Sequence, residues 1–222
     1  MSEPSPRRIF VAGSTGATGR TLVRLAAARG LTDRVIPHMR PRGARTSSAA
    51  PAAGAIVLDL ADRDALAAAL RGFTTVVQLI GTMRKRFAAG DTYESSDIGT
   101  TQQLVSAAQR AGVDHVVLLS SVGAGKPMGA YLHAKARAEA IVRESGLAYT
   151  IFRPSAFYGE GHAGIPGAKP VLRALGIRRY EPIAVEDLAG GILHAALTRA
   201  PLGVALEGQP LWTVVEAARA IR

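Results

Sequence analysis

Short runs of β-branched and apolar residues alternate along the chain with longer stretches whose apolar positions recur every three or four residues. This pattern predicts strands at Ile9–Ala12, Val35–Met39, 56–58, 76–80, 116–119, 149–152 and Val204–Leu206. Helices are expected at 18–29, 63–70, 92–111, 131–145, 187–198 and from Thr213 onward. The run 76–80 is apolar enough to be covered on both faces. Pro154 stops the sixth strand, and the stretch 41–54, rich in Pro, Gly and Ser, reads as a loop. Such alternation implies an α/β domain, a doubly wound parallel sheet with helices on both faces. No repeat or linker divides the sequence, so residues 1–222 are expected to form one domain. Within it the Gly- and Pro-interrupted stretch 155–222 is expected to contribute a small substrate-side cap.

The first strand runs directly into Gly13-Ser14-Thr15-Gly16-Ala17-Thr18-Gly19, which opens the first helix. Gly13 permits the tight turn, Gly16 lets the backbone approach a diphosphate, and Gly19 lets the helix pack closely on the sheet. The helix N-terminus then offers free N–H groups and its positive dipole end to phosphates. The spacing is GxxGxxG rather than GxGxxG. The stretch 13–19 is therefore a candidate dinucleotide loop. The second strand ends His38-Met39-Arg40-Pro41-Arg42, with no carboxylate to bind ribose hydroxyls. Arg40, supported by Arg42 or Arg45, offers a guanidinium to a 2′-phosphate, which favours NADP over NAD. Asp59 and Leu60, after the third strand, are expected to bind and cover the adenine. Gly81 and Thr82, after the fourth, are expected to line the crevice near the ribose and nicotinamide.

Tyr131 and Lys135 are four apart on an expected helix and share a face. An ammonium beside a phenol favours the phenolate, which suits the tyrosine to acid/base work. Ser120 and Ser121 end the fifth strand on the carboxyl edge, where ligands of such sheets bind, and offer a hydroxyl to a substrate carbonyl.

Taken together these stretches resemble the atypical short-chain dehydrogenases/reductases of the NAD(P)H-binding, NAD-dependent epimerase/dehydratase-like family. The resemblance covers most of the chain. It is carried by 13–19, Asp59-Leu60, Leu79-Ile80-Gly81-Thr82, Leu118-Leu119-Ser120-Ser121, 131–135, Phe152-Arg153-Pro154 and 182–188. Ile80-Gly81-Thr82-Met83-Arg84 and 118–124 are most similar to the oxidoreductase-like relatives of the Tat-interacting protein. The resemblance implies a Rossmann fold with Tyr131 as acid/base, Lys135 on the nicotinamide ribose and Ser121 orienting the substrate. It also implies Ser120 and Pro154 beside the cofactor. Asp97 is a departure, standing where many members carry an Asn that supports a water relay to the lysine. The Phe-Arg-Pro and Val-Glu-Asp-Leu-Ala elements are shared with sugar-nucleotide epimerases, whose greater length argues against a bulky nucleotide-sugar substrate here. The implied function is an NADP-dependent oxidoreductase passing a hydride between the nicotinamide and a small carbonyl or alcohol. The alternative is a regulatory protein that binds NADPH without turnover and acts through a protein partner.

Charge narrows the partners. Lys+Arg 27 against Asp+Glu 17 gives a net charge of +10, yet only four basic residues are lysines and the arginines are scattered, the tightest run being Arg84-Lys85-Arg86. With 5% aromatics, a phosphate-bearing small ligand is expected rather than a nucleic acid. At 48% hydrophobic and 20% charged residues, the chain suits a packed globule. No apolar run approaches the ~18–20 residues of a membrane span, and residues 1–8 lack the apolar core of a secretory signal. Without cysteine there is no disulfide or thiol chemistry. A cytoplasmic monomer or homodimer is expected. His38, His115, His133, His162 and His194 show no paired ligand spacing, so no metal site is expected. His133 reads as a solvated helix residue and Glu186-Asp187 as negative charge at a helix start. Arg178-Arg179 reads as surface charge and Trp212 as a packing anchor.

Overall fold

The computed structural model describes residues 6–41, 54–81, 92–159 and 178–220. Within them a parallel sheet is built from β1 (Ile9–Ala12), β2 (Val35–Met39), β3 (Ile56–Val57), β4 (Thr75–Gln78), β5 (His115–Leu119), β6 (Ala148–Phe152) and β9 (Val204–Leu206). Its order is β3-β2-β1-β4-β5-β6-β9. A second small parallel pair joins β7 (Phe157–Tyr158) to β8 (Ile183–Ala184). The helices are α1 (Ala17–Ala28), α2 (Arg63–Ala69), α3 (Thr100–Ala111), α4 (Gly129–Glu144), α5 (Val185–Thr198) and α6 (Gln209–Arg219).

Successive side chains of a strand point to opposite faces, and here both faces are covered. Ile9 and Val11 pack with Leu22 and Leu25 of α1, Leu188 and Ile192 of α5, and Trp212 of α6. Phe10 and Ala12 pack oppositely with Leu66 of α2 and with Leu104 and Ala108 of α3. Ala138 and Val142 of α4 cover Val116, Leu118 and Ile151. A fully buried aliphatic side chain of this kind stabilises the fold by about 1.5–3 kcal/mol. The strand order reverses between β1 and β4, so the carboxyl ends of these two strands flank the crevice where doubly wound sheets bind ligands.

Four expectations shift. The helix expected over 92–111 is two pieces, a π-helical turn Glu94–Gly99 followed by α3. β4 ends at Gln78 rather than 80, because the Gln78 side chain accepts from the Ile80 amide at 2.8 Å and takes it from the ladder. α6 begins at Gln209 rather than Thr213, with Pro210 in a first turn where its missing N–H is no loss. Of the stretch 155–222, expected to contribute a cap, two elements belong to the main layers. β9 joins β6 in the main sheet and α5 packs on α1, because their apolar faces complete the core. No helix among the described residues is long and apolar enough to cross a membrane.

Candidate active site

Gly13 has φ +90°, and a Cβ there would lie 2.9 Å from the Leu79 carbonyl carbon, so the turn and the backbone just past β4 both require glycine. A Cβ on Gly19 would come within 2.1 Å of the Gly13 carbonyl oxygen, the close helix–loop packing expected of the third glycine. Gly16 differs. Among the described residues a Cβ there would meet only Gly13 O within 4 Å, at 3.4 Å, so the space in front of it suits the close approach of a ligand. Gly16 is also the N-cap of α1, which has no side-chain cap and no acidic residue in its first turn. Its leading N–H groups are thus suited to a diphosphate. Arg20 reaches back to donate to the Thr15 carbonyl at 2.6 Å, adding positive charge beside the loop. These features fit a dinucleotide.

The loop is tied to the second strand. The buried Ser14 hydroxyl donates to the His38 carbonyl at 2.6 Å, and Thr18 is buried in the first turn of α1, while Thr15 stays exposed. His38 is itself buried, its Nε2 2.9 Å from the Leu58 carbonyl. Burial foremost, opposed by that hydrogen bond and reinforced by the charge of Arg40, lowers its pKa. Arg40 follows β2 directly and is exposed on the carboxyl edge. Leu60 packs into the core at 5% exposure, and the Asp59 carboxylate accepts from the Ala61 amide at 3.0 Å. Leu60 thus belongs to the core, and Asp59 closes its own turn. Thr82, Arg42, Arg45, the run 84–86 and His162 lie outside the described residues.

The chemistry gathers around Lys135. Its Nζ lies 2.7 Å from Asp97 Oδ1, with the two side chains 9% and 1% exposed. It also donates to the Leu119 carbonyl at 3.4 Å and lies 5.8 Å from the centre of the Tyr131 ring. An ammonium has three donors, so these two contacts among the described residues leave it one further N–H. Gly81 closes over this pair. A Cβ there would lie 2.8 Å from Lys135 Nζ and 3.0 Å from Asp97 Oδ1, so a side chain at 81 would displace the ion pair. Tyr131 is partly exposed and its ring packs 5.7 Å from that of Tyr93. Asp97 thus contacts the lysine directly. The π turn delivers it, π-helical turns being frequent at functional sites.

The two serines diverge. Ser121 is half-buried, with a long 3.4 Å contact to the Val122 carbonyl. The Ser120 hydroxyl instead donates to Glu139 at 2.6 Å, so the side chain expected beside the cofactor is engaged in a buried network. Glu139 also pairs with Arg153 at 2.6 Å. Burial pushes the Glu139 carboxyl up, but hydrogen bonds from Arg153 and Ser120 outweigh it and hold it below the usual range. Pro154 accepts from the Val122 amide at 2.9 Å, which sets it beside the Ser121 segment. Arg178 and Arg179, expected as surface charge, are held in ion pairs with Glu181, Glu216 and Glu207, Arg179 being exposed and Arg178 partly buried. Trp212 is buried, with the Arg178 guanidinium 5.2 Å from its ring centre.

Sequence reasoning left Arg20 and Glu139 without roles and gave Asp97 none beyond its departure from Asn. Arg20 adjoins the third glycine, and Glu139 lies four residues beyond Lys135 on its helix face, a spacing that could have shown it.

Residues 13–197 match the family described as NAD(P)H-binding. The chain is 29% identical over 207 residues to a chloroplastic divinyl chlorophyllide a 8-vinyl-reductase of Oryza sativa subsp. indica, covering 85% of this chain and 51% of that protein. It spans about half the length of the curated relatives it matches first. Among solved structures it is similar to MoeE5 in complex with UDP-glucose and NAD (TM-score 0.66, 18% identity, 96% of this chain and 81% of that one). It is also similar to the oxidoreductase ylbE from Lactococcus lactis (TM-score 0.65, 21% identity, 95% of both chains). At those identities the likeness is one of fold.

Proposed function

The chain belongs to the NAD(P)H-binding family, and from that premise we propose that it is an NADP-dependent oxidoreductase acting on a small carbonyl or alcohol. The observation that carries this reading is the group Gly81, Asp97, Tyr131 and Lys135 assembled at the carboxyl edge of the sheet that also bears the glycine loop. When bound, the dinucleotide supplies the hydride or accepts it. The glycine loop and the α1 N-terminus hold the diphosphate, with Arg20 adding charge. Arg40 pairs with the 2′-phosphate, which is the basis for preferring NADP. Lys135 holds the ribose with its remaining donor and balances charge on the Tyr131 oxygen. Asp97 fixes the ammonium in place. In the direction of reduction, Tyr131 O–H gives its proton to the substrate oxygen while the Ser121 hydroxyl orients that oxygen.

Calorimetric titration with NADPH and then NADH, at one salt concentration, tests the cofactor half. Tighter binding of NADPH is expected, and absence of binding by both would overturn the reading. A panel of small aldehydes and ketones then tests turnover. Tyr131→Phe is expected to abolish it while leaving NADPH affinity within about threefold, since the phenol acts at the reacting oxygen. Activity surviving that change removes Tyr131 from the mechanism. NADPH binding with no turnover across the panel supports the regulatory alternative.

A further inference from the structure

We infer that Glu139 and Arg153 are positioning residues for the Ser121 segment, with the Arg153 guanidinium, held in a carboxylate fork, as the platform on which Gly125 rests. The inference extends the proposed function and depends on its assignment of Ser121.

Glu139 is 3% exposed. Its Oε1 accepts from Ser120 Oγ at 2.6 Å and from Arg153 Nε at 2.8 Å, and its Oε2 accepts from Arg153 Nη2 at 2.6 Å. The last two bonds are the parallel fork that fixes a guanidinium plane as well as its position. Arg153 Nη1 remains outside the fork, 3.4 Å from Glu207 Oε2. The segment after Ser121 lies against this same plane. A Cβ on Gly125 would lie 2.7 Å from Nη1, 3.3 Å from Cζ and 3.4 Å from Nη2, so only glycine lets the chain come this close.

The backbone is attached at both ends of the same region. Ser120 N donates to the Phe152 carbonyl at 2.7 Å and Val122 N to that of Pro154 at 2.9 Å. The Ser121 hydroxyl, with one long 3.4 Å contact, does not fix its own place. Its position comes from its neighbours, namely Ser120 held by Glu139, Val122 held by Pro154 and Gly125 lying close against Arg153. An apolar pair of similar volume could fill this interior at no greater cost. What it could not supply is direction, because only the fork orients a flat surface toward Gly125 and a hydrogen-bond acceptor toward Ser120.

The test uses Arg153→Lys, which keeps the charge but loses the fork and the plane, together with Glu139→Gln and Gly125→Ala. Amide hydrogen exchange at 121–125 is expected to quicken by about tenfold or more in the first two variants, while β1 and β4 amides keep their protection. NADPH affinity is expected to stay within about threefold, with the emission of the bound nicotinamide altered because Pro154 follows Arg153. Gly125→Ala alone is expected to quicken exchange at 121–125 as well. In the Arg153→Lys background it should add little, because the guanidinium it would strike is gone. Unchanged exchange at 121–125 in both Arg153→Lys and Glu139→Gln would overturn the inference. So would a uniform rise that includes β1, or an equal effect of Gly125→Ala in both backgrounds. If the unmodified protein binds no NADPH, the cofactor reading fails, and the exchange measurements still decide the positioning role.

Discussion

Removing the Asp97 carboxylate measures how strongly the buried pair organises the site. Lys135 Nζ and Asp97 Oδ1 are 2.7 Å apart with side chains 9% and 1% exposed, so water screens them little. After Asp97→Ala the ammonium keeps the Leu119 carbonyl at 3.4 Å and the Tyr131 ring at 5.8 Å, neither of which carries a negative charge. Deleting one member of a buried ion pair costs about 3–5 kcal/mol, because the other charge stays buried and uncompensated. For a chain of this size each kcal/mol lowers Tm by about 2–4 °C, so a drop of about 6–20 °C is expected. Lys135→Met strands the carboxylate instead and should cost a similar amount. The double variant leaves neither charge, so its cost should fall short of the sum by about 2 kcal/mol or more. Urea unfolding of the four proteins, analysed with a common slope, gives these free energies. A cost below about 1 kcal/mol for Asp97→Ala, or additivity within about 0.5 kcal/mol, would be the behaviour of an exposed surface pair and would refute the reasoning.

Arg40→Ala is expected to weaken NADPH binding by about 1.5–3 kcal/mol, roughly 10- to 150-fold, and NADH binding little; an equal loss by calorimetry for both would remove the 2′-phosphate role. Gly19→Ala would force a methyl to within 2.1 Å of Gly13 O, so α1 must shift from the loop. A loss of about 1–3 kcal/mol or more in urea unfolding, with NADPH affinity falling in parallel, is expected, and an affinity unchanged in a folded variant would contradict the loop assignment. Acid should weaken the fold through His115, whose pKa is lowered from 6.5 to about 4 by burial first, then by the charges of Arg7 and Arg199. The unfolded chain takes up a proton below pH 6.5 that the folded state refuses until about pH 4. Stability present above that window is therefore lost as pH falls through it, by about 3 kcal/mol for a shift of this size. His115→Gln should flatten the pH dependence of the urea midpoint over that window, and an unchanged slope would exclude His115 as its source.

Patterns confined to one element were legible in the sequence, and those depending on how elements meet were not. β1 could be read because burial on both faces leaves an unbroken apolar run, and β2 because its run is broken only by Pro37 and His38. Gly13 and Gly19 could be read because the turn and the helix start they serve lie within seven residues. Tyr131 and Lys135 share one helical turn, so their proximity follows from spacing alone. β9 was foreseen as a strand, but a three-residue Val-Ala-Leu run does not say which sheet it joins; its pairing with β6 follows from where α5 packs. The stretch 94–99 reads as ordinary helix because its apolar content is a single isoleucine, too little to distinguish a π turn from an α turn. Yet that turn is what carries Asp97 to Lys135, across the gap between two helices. Glu139 and Arg153 likewise lie on a helix and past the next strand, and the crossover between them closes the fork. The groups that would touch a substrate are thus written in local patterns. The charges that hold those groups in place, Asp97 against Lys135 and Glu139 against Arg153, are set by the topology that brings distant segments to one edge of the sheet.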